Sequence, residues 1–352
     1  MATDRAKFND LKVQLNLAET KAEFLGRIKA ASVQRKISLG LLNALKETGD
    51  GILYFYSEGD ILTKLPRKAI KEFVVGEFFQ ILHRAFYAYI YTFPTERTAF
   101  ITLPHRRRKV RIEELLIDTD KSELEQRGTP LVEPVKRFLE MIFHISYQKQ
   151  DREEEINKNP QLGEYVKLAD FLEKEILQGT LGFETSEWRK ELLFQPKENT
   201  KLEMPIVSSM VKELAPLVLC LRYLVEPNEL LIIDEPEMNL HPAAQVEIAE
   251  FLAMLVNAGL HVLITTHSPY IVDHLANLMQ AAKHEDPDSI KEMFYLERKE
   301  VFIPQEKVSI YLFEKGTAKN IVSEEGTIDW ETFGKVSDDV SQIYASLLKV
   351  KD

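Results

Sequence analysis

The pattern of apolar and polar positions is mixed up to about residue 208 and becomes a regular alternation of elements beyond it. From 209 onward the spacing predicts helix, strand, helix, strand, helix over 210–225, 230–234, 243–257, 261–265 and 270–282, a βαβ unit flanked by helices. Leu230, Leu231, Ile232 and Ile233 form an unbroken apolar run, as expected of a parallel strand buried on both faces. Upstream, residues 4–46 carry Leu11, Leu15, Leu17, Phe24, Leu25 and Ile28 among many charges and read as helical, ending near KETGDG. The stretch ILYFYSEGDILTKL (52–65) alternates about Ser57–Asp60 and predicts a hairpin. A helix from Pro66 to about Phe86 and a strand at AYIYTF (88–93) follow. Residues 111–178 read as mainly helical, and TLGFE, ELLFQ and LEMPIV as short strands. The last 60 residues mix short strands with a final helix around 337–349.

Composition narrows the class. A chain of 352 residues, 45% hydrophobic, is long enough for two domains or one large composite one. The formal net charge of −11 argues against a protein that coats nucleic acid over its whole surface, while leaving room for a local basic patch. One such patch is the run His105-Arg106-Arg107-Arg108-Lys109 with Arg111, which either contacts phosphate backbones or is balanced by Glu113, Glu114, Asp118 and Asp120. The single cysteine, Cys220, lies in LAPLVLCLRYL and reads as a buried small hydrophobe. No apolar run approaches the roughly 20 residues of a membrane span, and MATDRAKFND has no signal-like apolar core, so the expectation is a cytoplasmic protein without membrane contact. The eight histidines show no metal-ligand spacing.

The chemistry concentrates where the buried strand ends. Asp234 and Glu235 are adjacent carboxylates at that point, and open α/β sheets bind ligands beyond the carboxyl ends of their strands. Mg²⁺ takes oxygen ligands and keeps several waters, so Asp234 suffices to hold it while Glu235 orients or deprotonates a water. Two solvated acids at a strand-to-loop junction are the plain alternative. His267 ends the next strand, where a neutral imidazole can donate to a phosphate or its attacking water. Ser208 and Ser209 precede the helix MVKELAPLVLCLRYL. One of them suits its N-cap, and the same free N–H groups and hydroxyls make an anion site.

Together, LLIIDEPEMNLHP (230–242), LITTHSP (263–269) and Ser208–Glu213 resemble the ABC-class ATPases. The likeness is to the branch with DNA-repair clamp ATPases, overcoming-lysogenization-defect nucleases and related prokaryotic AAA-type defence ATPases. It is good over 200–275 and looser over 50–110. It implies α/β architecture: an incomplete ABC-ATPase-like P-loop NTPase fold with a parallel core at 205–282, a mainly helical insertion and an N-terminal helical segment. It implies ATP and Mg²⁺ as cofactors, Asp234 on the metal, Glu235 as catalytic base and His267 as the switch histidine. Asn239, Leu240, His241 and Pro242 would form the loop that faces a second subunit, and Ser208–Ser209 would stand in the signature motif. That motif departs from the family at Met210, where glycine is common. The stretch FPTERTAF (93–100) is also of a kind these families carry, and Arg97 within it either is structural or faces the nucleotide.

One element is missing: the 352 residues contain no G-x-x-x-x-G-K-[ST] loop. EKGTAKN (314–320) lacks the paired glycines, and EFLGRIKAA (23–31) sits in a helical pattern. The expectation is therefore a chain that starts after its phosphate-binding lobe, whether as a split subunit, a degenerate partner or a truncated product. The expected organisation is a helical segment (1–46), a strand-rich remnant of the nucleotide lobe (50–110), a helical subdomain (111–179), a lobe with the signature and both motif strands (180–282) and a C-terminal part (283–352). Two functions follow. One is an ATPase subunit, inactive alone, that works as a homodimer or with a chain bearing the phosphate loop. The other is a regulatory or dimerising scaffold that contacts nucleic acid through Arg106, Arg107, Arg108 and Lys109. An absent strand beside Leu230–Asp234 would also leave an apolar sheet edge for a partner or residues 1–46 to cover.

Overall fold

The computed structural model describes residues 12–14, 43–45, 52–56 and 86–347, except 88, 103–131, 148–151, 187–188, 198–199, 329–338 and 340. The chain forms two compact units, Met1–Tyr89 and Ile90–Asp352. In the first, β1 (Lys12–Gln14), β2 (Asn43–Leu45) and β3 (Ile52–Tyr56) pair antiparallel in the order β1-β3-β2, with Lys12 opposite Tyr54 and Asn43 opposite Tyr56. At 12–14 and 43–45 the backbone is extended, which corrects the helical expectation there; the rest of 4–46 lies outside the described residues. Charged residues interleaved with leucines satisfy either period, and pairing with the β-branched and aromatic run ILYFY favours the strand. The second half of the expected hairpin, residues 61–65, and the helix expected from Pro66 lie outside the described residues up to Phe86.

The second unit is built on a parallel sheet of β4 (Ile90–Phe93), β8 (Leu230–Asp234) and β9 (His261–Thr265), ordered β4-β8-β9. Ile90 pairs with Leu230 and Leu230 with His261, so the carboxyl ends of all three strands fall on one line. This is the α/β core expected from the sequence, widened by β4. The strand that ends in Asp234 is central, flanked on both sides, which corrects the expectation of a bare edge beside it. Its burial follows: Leu231 is fully enclosed, and Leu230 and Ile233 nearly so. On β9 the exposure alternates, and Leu263 is half exposed.

The helices of this unit begin with α1 (Arg97–Thr102), followed by α2 (Glu133–Tyr147), α3 (Glu153–Lys158) and α4 (Gln161–Phe171). A π-helical extension of α4 runs over Leu172–Leu177 and stops at Gln178, which adopts a left-handed conformation at φ 54°. Then come strands β5 (Gly179–Ser186), β6 (Arg189–Pro196) and β7 (Leu202–Glu203), an antiparallel sheet. Helix α5 (Ser209–Tyr223) follows, and residues 213–221 of it are buried without a break. A helix apolar on all sides belongs in a core, and α5 packs against α1, α2 and α4. Cys220 lies inside it, fully enclosed, and burial pushes its thiol well above the usual range, as suits a packing residue. Helix α6 (Pro242–Asn257) connects β8 to β9, and α7 (Pro269–Ala281) follows β9 and packs on α6.

A buried carboxylate helps to tie down the C-terminal part, together with Asn257, whose Nδ2 donates to the Glu300 and Phe302 carbonyls. Glu250 of α6 is fully enclosed; it accepts from the Tyr295 and Leu296 amides at 3.0 and 2.7 Å and pairs with His274 Nε2 at 2.8 Å. Strands β10 (Tyr311–Glu314) and β11 (Thr317–Asn320) form a hairpin whose turn, Lys315–Gly316, has φ of 50° and 76°. EKGTAKN is thus the two-residue turn and the second strand of a hairpin rather than a phosphate loop. EFLGRIKAA and the basic run 105–109 lie outside the described residues. Residues 341–347 are helical, as expected. Among the described residues no helix is long and apolar enough to cross a membrane.

Candidate active site

Asp234 and Glu235 occupy the carboxyl end of the central strand, and the backbone turns sharply between them. Glu235 has φ 47°, in the left-handed region, a conformation that costs a residue with a side chain about 1–2 kcal/mol. The turn continues through hydrogen bonds from the Met238 amide to the Glu235 carbonyl (3.1 Å) and from the Leu240 amide to the Glu237 carbonyl (3.0 Å), with Asn239 also left-handed at φ 60°. This places the two carboxylates in different surroundings. Asp234 accepts from the hydroxyls of Thr265 on β9 and, at 3.5 Å, Thr95 just after β4. Glu235 keeps its side chain part-exposed, and its amide donates to the Thr265 carbonyl (3.0 Å) and hydroxyl (3.3 Å).

Arg97 holds this turn from beneath. Its side chain is 2% exposed, and Nη1 donates to the carbonyls of Asp234 (2.7 Å) and Pro94 (3.1 Å) while Nη2 donates to that of Glu235 (2.9 Å). Nε lies 2.8 Å from Glu213 Oε2, a fully buried ion pair. The other Glu213 oxygen accepts from Thr98 Oγ1 and, at 2.9 Å, from Asn239 Nδ2. Burial pulls the guanidinium below its ordinary range, and the charges of Glu213, Asp234, Glu237 and Glu235 oppose this; an arginine stays cationic throughout. Of the two roles open for Arg97, the structure selects the structural one.

The remaining residues singled out in the sequence divide into two groups. His267 joins the site: its Nε2 stands 3.9 Å from Glu235 Oε1, short of a hydrogen bond, and its ring is 84% exposed. Asn239 joins through Glu213. Ser208 is the N-cap of α5 and accepts from the Val211 amide at 3.3 Å, while Ser209 beside it is exposed. His241 is the N-cap of α6, its Nδ1 accepting from the Ala243 amide at 3.3 Å, and no contact ties its ring to the carboxylate pair. Thr95, Thr265, Glu213 and Glu237 escape a sequence reading because a single polar residue, whether in a turn like Thr95 and Glu237, at a strand end like Thr265 or within a helix like Glu213, carries no periodic signal of its own. The repeated acid in DEPE and the threonines flanking Arg97 were the available hints.

The oxygen donors suit a hydrated Mg²⁺. Asp234 supplies one carboxylate and the threonines supply hydroxyls beside it, whereas no group of three or more His, Cys, Asp or Glu gathers for a metal among the described residues.

A family model described as "AAA domain, putative AbiEii toxin, Type IV TA system" matches residues 85–273, more than half of the chain. The chain belongs to this AAA-domain family. The matched span begins before β4 and ends inside α7, so it takes in every residue of the site just described. That is the ABC-class, AAA-type ATPase branch expected from the motifs. A curated relative, the Old nuclease of Escherichia phage P2, is 43% identical over 58 residues, which are 16% of this chain and 10% of that protein. The chain therefore matches only a tenth of that nuclease's length. Among solved structures, a chain from work on ATP-driven dimerization and DNA-stimulated activation of SMC ATPases aligns over 54% of this chain and 98% of its own, at 10% identity and a TM-score of 0.31.

Proposed function

We propose that this chain supplies the metal carboxylate, the general base and the switch histidine of an ATPase centre whose phosphate loop comes from elsewhere. The carrying observation is the clamped turn, in which Arg97 fixes the carbonyls of Asp234 and Glu235 while Glu235 faces His267 at 3.9 Å. Asp234, steadied by two threonine hydroxyls, would hold Mg²⁺ together with water. The ion supplies charge stabilisation at the phosphate oxygens when bound. Glu235 makes few contacts through its side chain and is free to orient a water and take its proton. His267, mostly exposed at the strand tip, has a ring nitrogen to offer a phosphate oxygen. Ser208–Ser209 open the N-terminus of a 15-residue helix whose free N–H groups suit an anion brought by a second subunit.

No G-x-x-x-x-G-K-[ST] sequence accompanies these groups, and tight phosphate binding needs such backbone donors and a lysine. The reading therefore requires a partner, either a second chain or a lobe outside this sequence. The family description and the local likeness to a phage nuclease support a place among defence or DNA-maintenance ATPases.

ATP turnover decides the matter. The purified chain alone should hydrolyse no ATP above background, and the assembly isolated with its natural partners should lose turnover at least about 100-fold on Glu235→Gln. Turnover by the chain alone, abolished by that substitution, would overturn the partner requirement. An assembly indifferent to Glu235→Gln would leave the chain as a dimerising scaffold.

A further inference from the structure

We propose that Glu237 is the positioning residue for His267, an inference that rests on reading Glu235 and His267 as the reactive pair. The His267 ring is 84% exposed, so packing does not fix it. Its place is set by its backbone, which lies beyond the last residue of β9, Thr265. There a single carboxylate oxygen, Glu237 Oε1, accepts from both the Thr266 hydroxyl (2.8 Å) and the His267 amide (2.7 Å). A backbone N–H donating to a carboxylate makes a short, charge-assisted bond, stronger than one to a neutral acceptor.

Glu237 is itself registered to Glu235. The two lie in one turn, whose first carbonyl, that of Glu235, is held by Arg97 Nη2 and by the Met238 amide. His267 is thus referenced to the base by two routes, the β8–β9 ladder and the Glu237 carboxylate, and only the second reaches beyond the strand. The restraint continues outward. Thr266 Oγ1 accepts from the Ser268 amide at 3.0 Å, and Ser268 caps α7 and donates to Gln245 Oε1 at 2.6 Å. Moving Glu237 would free the two residues between the strand and that cap. Its second oxygen, Oε2, is buried and takes no hydrogen bond from a described residue, while its charge adds to the field around Arg97. The acid in DEPE that follows the proline thus sets the histidine rather than reacting.

Amide hydrogen exchange on the full ¹⁵N-labelled chain tests this without nucleotide. In the wild type the His267 amide, at an exposed position, should be protected. Glu237→Ala should speed its exchange about tenfold or more and leave the amides of β9 unchanged. Glu237→Gln, which keeps an acceptor oxygen, should fall between. Unchanged exchange at His267 in Glu237→Ala overturns the proposal, as does an equal rise along β9, which would make Glu237 a general brace. In the ATP-hydrolysing assembly, Glu237→Ala should lower kcat with KM little altered and add nothing to His267→Ala. Should His267→Ala leave turnover intact while the local exchange effect persists, the positioning stands and the catalytic reading of His267 falls.

Discussion

Arg97 Nε and Glu213 Oε2 meet at 2.8 Å with side chains 2% and 0% exposed, and this pair joins three separated stretches of the chain. Arg97 comes from the turn after β4, Glu213 from the first turns of α5, and through them both the Asp234–Glu235 carbonyls and the Asn239 amide are held. The serines at the head of α5 and the carboxylates at the end of β8 are therefore parts of one rigid block.

Breaking this pair from one side should be costly. Arg97→Ala leaves Glu213 charged and enclosed and strips four carbonyls, those of Pro94, Glu213, Asp234 and Glu235, of a donor, so urea unfolding should show a loss of about 3–5 kcal/mol. Combining Arg97→Ala with Glu213→Gln should cost less than the sum of the single changes, because the second substitution removes the stranded charge. Additive losses would show that the two side chains do not act as a pair.

The left-handed conformation of Glu235 predicts an unusual order of stabilities. Glu235→Ala and Glu235→Gly remove the same carboxylate but differ at φ 47°. Glycine adopts that conformation freely, so the Gly variant should be more stable than the Ala variant by about 1 kcal/mol, against the ordinary preference for alanine. Urea midpoints of the two proteins give the answer directly.

Glu229, just before β8, should make stability fall with rising pH. It is 5% exposed, and burial, the largest influence, pushes its carboxyl up to about 7 from 4.5; the Glu226 amide, donating at 2.7 Å, and Arg152 pull the other way, while the Glu226 charge adds to the rise. Between these two pH values the folded chain keeps a proton that the unfolded chain has released. The stabilisation is complete below about 4.5 and is lost as pH rises through about 7, on the order of 2–3 kcal/mol in all. The stability of the wild type minus that of Glu229→Gln, measured at pH 5 and pH 8, should fall by that amount. A difference that stays level would mean the carboxyl titrates normally.

Much of this site was legible in the residues themselves. Four successive apolar residues before Asp234 announced a strand buried on both faces, because a parallel strand covered on each side carries apolar side chains at every position and the run is too short for a buried helix. The acids and His267 then fell at strand ends by spacing alone. The pattern failed where it was ambiguous, at 12–14 and 43–45, since interleaved charges and leucines do not choose a period without a neighbouring strand.

The sequence by itself determined the α/β class, the βαβ unit from Leu230 to Thr265, and which acids and histidine stand at its carboxyl end. Local chemistry governs all three, through hydrophobic period and strand length. The tertiary structure alone decided that Arg97 is a clamp rather than a nucleotide contact, that Glu213 is its counter-ion 116 residues away, and that Glu237 reaches His267 across the strand tips. A buried polar group must find partners wherever the fold brings them, and spacing along the chain carries no trace of which distant carbonyl or carboxylate that will be.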